Sequence, residues 1–337
     1  MRDDWLRPLG STGLTVSAVC AGGSGLGSMP AVFGYDVTRQ EAVDLVLRVF
    51  DSPLTWIDTS NGYGNGESEL RIGQAVKEYG GLPDGFLVAT KVDARGQDYS
   101  GARVRASVAE SKERLGLDDL PLVYLHDPEA WEFESMRDAV DTLMQLRADG
   151  EIGHVGLAGG DTRELSRYLD LGGFEVLLVH NRWSLVDRSA GRIFQRARAE
   201  GIAVVNAAIY GGGILANPSG ATKYAYREAP AALLEAVAEM DKACQEYGVD
   251  LATAALRHSV DDPGIAGTVV GFTKPARIDA LGESAATALK DWLFFERRIE
   301  AQVLTIHGHV CVRLAAQVYN DETDYERLAQ AVDEWPV

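Results

Sequence analysis

Three observations on the sequence predict an α/β protein built as a (β/α)8 TIM barrel. Eight short runs rich in Val, Leu and Ile alternate with segments of helical periodicity along most of the 337 residues. Such apolar strands are typical of parallel sheets that are covered on both faces. Three successive strands, residues 54–57, 86–90 and 122–125, each run into an ionisable residue, namely Asp58, Lys91 and His126. In a parallel barrel these side chains would share one rim.

The elements follow in regular order from an N-terminal hairpin over residues 6–16, with Ser11-Thr12-Gly13 as its turn. The predicted strands are residues 16–21, 54–57, 86–90, 122–125, 154–158, 176–179, 202–207 and 268–270. The predicted helices are residues 38–50, 69–79, 102–115, 136–147, 163–171, 190–200, 231–248 and 251–258. Thr38, followed three positions later by Glu41, has the pattern of a capping box. We assign residues 1–297 to the barrel and expect residues 298–337 to form a helical extension packed on it.

Composition and charge narrow the range of partners. A formal charge of −18 opposes binding to nucleic acids or anionic membranes through a general field. No apolar run approaches the roughly 20 residues of a membrane helix, and the N-terminus has no basic leader followed by an apolar run. We therefore expect a cytoplasmic protein that acts on a small molecule, and the oligomeric state stays open. Three scattered cysteines argue against disulfide and zinc frameworks, and no metal site is predicted.

A glycine-rich loop after the second predicted barrel strand carries a phenol beside the three ionisable residues. Residues 58–69 read Asp-Thr-Ser-Asn-Gly-Tyr-Gly-Asn-Gly-Glu-Ser-Glu, which places Tyr63 just beyond Asp58. One alternative is structural: Asp58 and Lys91 could form a buried ion pair, and His126 could be a satisfied histidine at a strand end. That interpretation leaves Tyr63 without a role. Residues 22–27 are also rich in glycine, but Pro30 and the lack of helical periodicity after them argue against a dinucleotide-binding turn.

With these four residues in view, the chain resembles the aldo-keto reductases. Residues 58–69 are similar, almost position for position, to the family signature Asp-Thr-Ala-x-x-Tyr-Gly-x-Gly-x-Ser-Glu, and Leu70-Arg71-Ile72-Gly73 continues it. The resemblance extends from the opening hairpin to about residue 283. It implies a barrel enzyme that uses a nicotinamide cofactor.

The resemblance also implies a catalytic tetrad of Asp58, Tyr63, Lys91 and His126. Hydride transfer at a carbonyl leaves an oxygen that must gain or lose a proton, so a neighbouring group must act as acid or base. Tyr63 would fill that role, with its pKa lowered by Lys91, which Asp58 orients. His126 would hydrogen-bond the reacting oxygen.

The cofactor-binding positions depart from the common family pattern at several strands. Gly156-Leu157-Ala158-Gly159 stands where many members have Gly-x-Ser-Asn, whose side chains hold the nicotinamide carboxamide. We expect Asp161, Asn181 or backbone groups to replace those hydrogen bonds. His180 would lie beneath the nicotinamide, or it is a strand-end histidine with a backbone partner. The expected cofactor-binding residues are Ala158, His180, Asn181, Ala207, Gly271, Phe272, Thr273, Lys274 and Arg277.

Two segments are similar to the sugar 1-dehydrogenase branch of the family, which includes L-fucose, D-threo-aldose and L-galactose dehydrogenases, with pyridoxal 4-dehydrogenase close to it. They are residues 206–215, where Ala207 replaces a stacking aromatic residue, and the run that begins at Arg182. The resemblance therefore implies oxidation of an aldose to a lactone, and aromatic or loop residues could hold the sugar: Phe33, Trp131, Trp183 and Tyr210.

The choice between NAD and NADP depends on the last barrel loop. Gly271 occupies a position where NADP-preferring members often carry a lysine, whereas Arg277 could pair with a 2′-phosphate. Because of Gly271 we expect NAD as the preferred cofactor. Two alternatives stay open: another alcohol or aldehyde as substrate, such as pyridoxal or a glycoside hydroxyl, and a cofactor-binding regulatory subunit without turnover.

Overall fold

A computed structural model of the chain describes residues 5–30, 34–225, 227–272, 278, 302–306, 309–313 and 322–334. Its strands, in chain order, are β1 (Leu6–Pro8), β2 (Thr15–Ser17), β3 (Val19–Gly22), β4 (Trp56–Asp58), β5 (Leu87–Val92), β6 (Leu122–His126), β7 (His154–Gly159), β8 (Val176–His180), β9 (Ala203–Ala207), β10 (Lys223–Tyr224), β11 (Arg227–Glu228), β12 (Gly267–Gly271), β13 (Gln302–Ile306) and β14 (His309–Arg313).

The predicted barrel is confirmed. Strands β3 to β9 pair in parallel, each with the next, and β12 closes the ring between β9 and β3. Asp58 pairs in register with Ala89, and Lys91 with Tyr124. The carboxyl ends of β4, β5 and β6 therefore lie side by side at one rim of the barrel.

The helices that surround the barrel also agree with the predicted segments to within a few residues. They are α1 (Arg39–Phe50), α2 (Glu67–Tyr79), α3 (Gly101–Leu115), α4 (Arg137–Ala148), α5 (Thr162–Leu169), α6 (Gly191–Ala199), α7 (Ala231–Glu246) and α8 (Leu251–Val260). Thr38 caps α1 through the predicted capping box with Glu41. In the part of the chain that the structure describes, every helix is too short or too polar to span a bilayer.

The core consists of two main layers. Inside the barrel, Trp56 and Tyr124 are fully buried with smaller apolar residues from the other strands. Outside it, the strands pack against the helices. The hairpin of β1 and β2 adds Leu9 and Val16 to the inner cluster, and Gly10 lies against Ala203, the first residue of β9. The hairpin therefore covers the amino end of the barrel, opposite the rim that carries the ionisable residues.

The C-terminal segment requires a correction. It contains a helix, α9 (Glu322–Asp333), as predicted, but Gln302–Ile306 and His309–Arg313 form an antiparallel hairpin instead of a helix. Val303 pairs with Val312 and Thr305 with Val310. These β-branched residues favour an extended backbone because their χ1 freedom is restricted in a helix.

Candidate active site

The structure brings the four predicted catalytic side chains together at the carboxyl rim. Asp58 is the last residue of β4, Lys91 lies near the end of β5 and His126 ends β6, while Tyr63 stands in the loop after β4. The rings of Tyr63 and His126 meet edge to face, with their centroids 5.6 Å apart. The two rings are therefore in contact, and each carries a group that can hydrogen-bond a reacting oxygen.

Lys91 is the centre of this arrangement, and all three of its N–H donors are used. It is 1% exposed, and its Nζ donates to Asp58 Oδ2 at 2.6 Å, to the Thr59 carbonyl oxygen at 2.7 Å and to Tyr63 Oη at 3.2 Å. Burial acts to lower the pKa of Lys91, but the charge and hydrogen bond of Asp58 outweigh it, and the pKa is raised. The ammonium form is therefore retained beside the phenol.

The Tyr63 phenol differs from the expectation in one respect. Burial raises its pKa; the nearby Lys91 ammonium acts in the opposite direction, and the carboxylates of Asp58 and Asp93 add to the increase. Lys91 thus acts on Tyr63 with the expected sign, but the net pKa is raised and not lowered. The reason is that an enclosed phenolate loses more solvation than one ammonium restores.

His126 has a partner that the sequence did not reveal. Its Nδ1 lies 2.7 Å from Asp93 Oδ1 and 3.1 Å from Ser60 Oγ, and Ser60 also hydrogen-bonds Asp93. Burial acts to lower the pKa of His126, but the attraction of Asp93 outweighs it and the pKa is raised. Because Nδ1 faces a carboxylate, it carries a proton, and Nε2 is left for the substrate oxygen. Asp93 lies two residues beyond Lys91, at a strand end, and that position was the available signal.

The Tyr63 loop is held by close backbone contacts. Gly62 N–H donates to Asp93 Oδ2 at 2.7 Å, so one carboxylate positions both His126 and this loop. Gly64 has a φ of 59° and lies so close to Gly27 that an added Cβ would be 2.1 Å from the Gly27 carbonyl oxygen. The glycine-rich loops after β3 and β4 therefore meet backbone to backbone at Gly27 and Gly64.

A second residue missed by the sequence analysis, Glu129, fills the rim beside β7. Its Oε1 accepts hydrogen bonds from the N–H groups of Gly160 and Asp161, whereas Oε2 is buried and has no hydrogen-bond partner among the described residues. A Cβ on Gly159 would lie 2.4 Å from that Oε2. The Glu129 carboxylate can occupy this position only because residue 159 is a glycine. The two residues are 30 positions apart, so no local sequence pattern indicates their contact.

The predicted cofactor residues on β7, β8 and β9 lie along the same rim. Ala158 and Ala207 are buried and present only methyl groups. His180 lies with Nε2 3.2 Å from Asp127 Oδ1 and Nδ1 3.1 Å from the Asn181 amide nitrogen. Asn181 is 2% exposed, and its Oδ1 has no partner within the described ranges. Among the described residues the His180 ring is thus held by the side chains of Asp127 and Asn181, whereas the alternative prediction gave it a backbone partner.

The remaining predicted residues are less directly placed. Gly271 is exposed, whereas the Phe272 side chain is buried in the outer core layer. Phe33, Thr273, Lys274 and Arg277 lie outside the described residues. Trp131 packs on Tyr99, whose hydroxyl hydrogen-bonds the backbone of His126.

Two predicted substrate aromatics make structural contacts. The Trp183 ring stacks on His258 and packs against Phe194, so this ring is engaged with the outer helices. Tyr210 is partly buried against the core.

Comparison with known proteins gives a consistent result. A sequence model described as the Aldo/keto reductase family matches residues 18–294. D-threo-aldose 1-dehydrogenase from a Pseudomonas species is 27% identical over 316 residues, covering 85% of this chain and 94% of that protein. L-galactose dehydrogenase from Arabidopsis thaliana is 30% identical over 281 residues, covering 81% and 86% respectively. Among solved structures, the holo form of an aldo-keto reductase from Bacillus halodurans has a TM-score of 0.68 at 21% identity, covering 83% of this chain and 90% of that one.

Proposed function

Since the chain belongs to the aldo/keto reductase family and is an NAD(P)-dependent oxidoreductase, we propose that it oxidises the anomeric hydroxyl of an aldose and releases the lactone. The observation that carries the chemistry is the contact of Lys91 with both Asp58 and Tyr63, beside His126. The sugar class rests on what the relatives are named for: one acts on D-threo-aldoses and another on L-galactose.

The protein's own residues supply the proton transfer and the orientation. As hydride leaves the anomeric carbon, the hydroxyl proton passes to Tyr63 Oη, and the carbon–oxygen double bond of the lactone forms. In this direction Tyr63 must first give up its own proton and react as the phenolate, which the Lys91 ammonium stabilises against the burial that raises the pKa of Tyr63. His126, oriented by Asp93, hydrogen-bonds the same oxygen through Nε2. A bound NAD⁺ or NADP⁺ would supply the acceptor for the hydride and its two electrons.

The rim next to the tetrad fits a nicotinamide ring. Ala158, Gly159 and Ala207 present little or no side chain there, and Asn181 Oδ1 is a buried acceptor that lacks a donor among the described residues. A flat ring with an amide substituent needs a smooth wall and polar groups at its edge. At the adenosine end, Gly271 favours NAD because it supplies no positive charge for a 2′-phosphate. Arg277 is the residue that would favour NADP.

The test is reduction of NAD⁺ and NADP⁺ by the purified protein with a panel of free aldoses, pyridoxal and glycosides, with Tyr63→Phe as the matched variant. The loss of one hydroxyl should lower kcat on the best sugar by about 10²- to 10⁴-fold, the usual size of general acid–base catalysis. Binding of reduced nicotinamide to Tyr63→Phe should stay within a few-fold of wild type, because the ring itself is kept.

The outcomes separate the alternatives. Turnover of free aldoses that collapses in Tyr63→Phe supports the proposal. Turnover restricted to pyridoxal or a glycoside hydroxyl retains the catalytic mechanism and replaces the substrate. Cofactor binding with no turnover across the panel would instead favour the regulatory role.

A further inference from the structure

We propose that Glu129 positions the cofactor, its Oε2 accepting a hydrogen bond from the carboxamide N–H of the nicotinamide. This inference rests on the NAD(P)-dependent chemistry but not on the identity of the sugar. It assigns a task to a buried acceptor that the proton transfer does not use.

Glu129 is fixed by its other oxygen. Oε1 accepts from the consecutive N–H groups of Gly160 and Asp161, immediately before α5. Oε2 is buried and, within the part of the chain that the structure describes, has no donor. Buried polar atoms in native proteins nearly always have a partner, since an unpaired carboxylate oxygen loses its hydration without compensation. A ligand that brings an N–H group to this place would satisfy it.

The space around Oε2 is created by the sequence of β7. A Cβ at Gly159 would lie 2.4 Å from Oε2 and 2.7 Å from Oε1, so a side chain at residue 159 and this position of the carboxylate exclude each other. A Cβ at Gly160 would lie 2.5 Å from the His180 ring. Gly159 therefore leaves space for Glu129, from the loop after β6, and Gly160 leaves space for His180, at the end of β8.

The position relative to the tetrad fits the geometry of a nicotinamide. Asp127 connects the two regions: its carboxylate lies 3.8 Å from His126 Nε2 and 3.2 Å from His180 Nε2. Ligand atoms of Asp127, Glu129 and His180 all lie within 4.8 Å of one another. The carboxamide of nicotinamide is attached to the ring carbon next to the one that accepts hydride. A ring that meets the substrate carbon beside Tyr63 and His126 therefore carries its amide within a few ångströms of that centre.

The same three residues could be considered as ligands for a divalent cation. Their atoms are already engaged, however: Glu129 Oε1 by two backbone N–H groups, and His180 by Asp127 on one side and Asn181 on the other. A cation would have to break these hydrogen bonds, whereas an amide N–H needs only the free Oε2. The chemistry thus favours a donor over a metal, and the experiment below tests both.

The test compares two cofactors that differ in the amide alone. Binding of NADH and of the reduced 3-acetylpyridine analogue, whose methyl ketone has no N–H, is measured by quenching of tryptophan fluorescence without any sugar. Wild type should prefer NADH by about 10- to 100-fold, the size of one hydrogen bond to a charged group. In Glu129→Ala this preference should fall to within about threefold. Glu134→Gln, an exposed neighbour on the same segment, serves as the control and should retain the full preference.

A purely structural role would give a different result. If Glu129 only braces the backbone, Glu129→Ala weakens NADH and the analogue equally and the ratio is unchanged, which overturns the proposal. Glu129→Gln keeps the size of the side chain, and its amide oxygen can still accept from Gly160 and Asp161. Its NH2 group then replaces the Oε2 acceptor with a donor. The preference should therefore be lost as in the alanine variant, so the test survives if the alanine variant folds poorly. Glu129→Ala/Gly159→Asn places an amide in the vacated space and should recover part of the preference. Tight binding of Mn²⁺ or Zn²⁺ that requires Glu129 and competes with NADH would also overturn it.

Discussion

The interaction of Lys91 with the Tyr63 phenol can be tested separately from its pairing with Asp58. The Lys91→Met substitution keeps a side chain of similar length but removes the ammonium group. Asp58 then loses its side-chain donor, because Lys91 is the one group among the described residues that hydrogen-bonds its carboxylate, and the other oxygen is already buried without a partner. Tyr63 loses the ammonium at 3.2 Å.

The two losses have different sizes and different readouts. Removing one partner of a buried ion pair costs about 3–5 kcal/mol of folding free energy, since the remaining charge is desolvated without compensation. For the phenolate, a unit charge at 3.2 Å contributes about 5 kcal/mol at an effective dielectric constant of about 20. A change of that size lowers the phenolate population by more than a thousandfold. We therefore expect kcat to fall by about 10²- to 10⁴-fold.

The assay combines urea unfolding with cofactor reduction at the best substrate, on Lys91→Met and on the charge-balanced variant Asp58→Asn/Lys91→Met. The double variant removes the uncompensated charge, so it should recover most of the lost stability while its kcat stays low. A Lys91→Met protein that loses stability but retains kcat within about tenfold of wild type would refute the reasoning. In that case Lys91 and Asp58 are a structural pair, and Tyr63 works without them.

Two further predictions concern the groups around the tetrad. In Asp93→Asn, His126 loses its carboxylate partner, so its pKa falls and the corresponding limb of the kcat/KM–pH profile moves to lower pH; an unmoved limb would contradict this. The pair has a raised His126 pKa and a lowered Asp93 pKa. The stability advantage of wild type over Asp93→Asn should therefore be largest between about pH 4 and 6.5. It should fall at higher pH as His126 loses its proton, and at lower pH as Asp93 gains one. Gly64→Ala should lower activity by more than tenfold and cost at least about 1–2 kcal/mol, since its φ of 59° is strained for alanine and its Cβ meets the Gly27 carbonyl oxygen. Gly80→Ala is the control, because Gly80 is also at positive φ but has open space around it. This variant should lose stability in urea unfolding but keep the wild-type kcat.

The barrel and the shared rim of Asp58, Lys91 and His126 could be predicted because both follow from patterns within short segments, and the resemblance to the family signature added Tyr63 and the expected roles. Strand and helix periods of two and about 3.6 residues are properties of short segments, and parallel pairing then places every strand's carboxyl end at one rim. Asp58, Lys91 and His126 needed only that rule to be brought together. The C-terminal hairpin was not predicted. The expected helical extension rested on the charge-mixed helical pattern of residues 322–332, whereas the strands Gln302–Ile306 and His309–Arg313 are rich in β-branched residues, which favour an extended backbone.

The sequence by itself thus determined the fold and, through its resemblance to the family, the side chains that we propose as catalytic. Tertiary structure alone decided the surroundings of those side chains: Asp93 against His126, Glu129 in the space left by Gly159, and the ring of Trp183 against the outer helices. It also decided the net pKa of Tyr63, because solvation depends on every group that encloses the phenol. The physical reason is common to these cases. Each depends on distances between residues far apart in the chain, which are set by strand register and packing and not by any pattern within one segment.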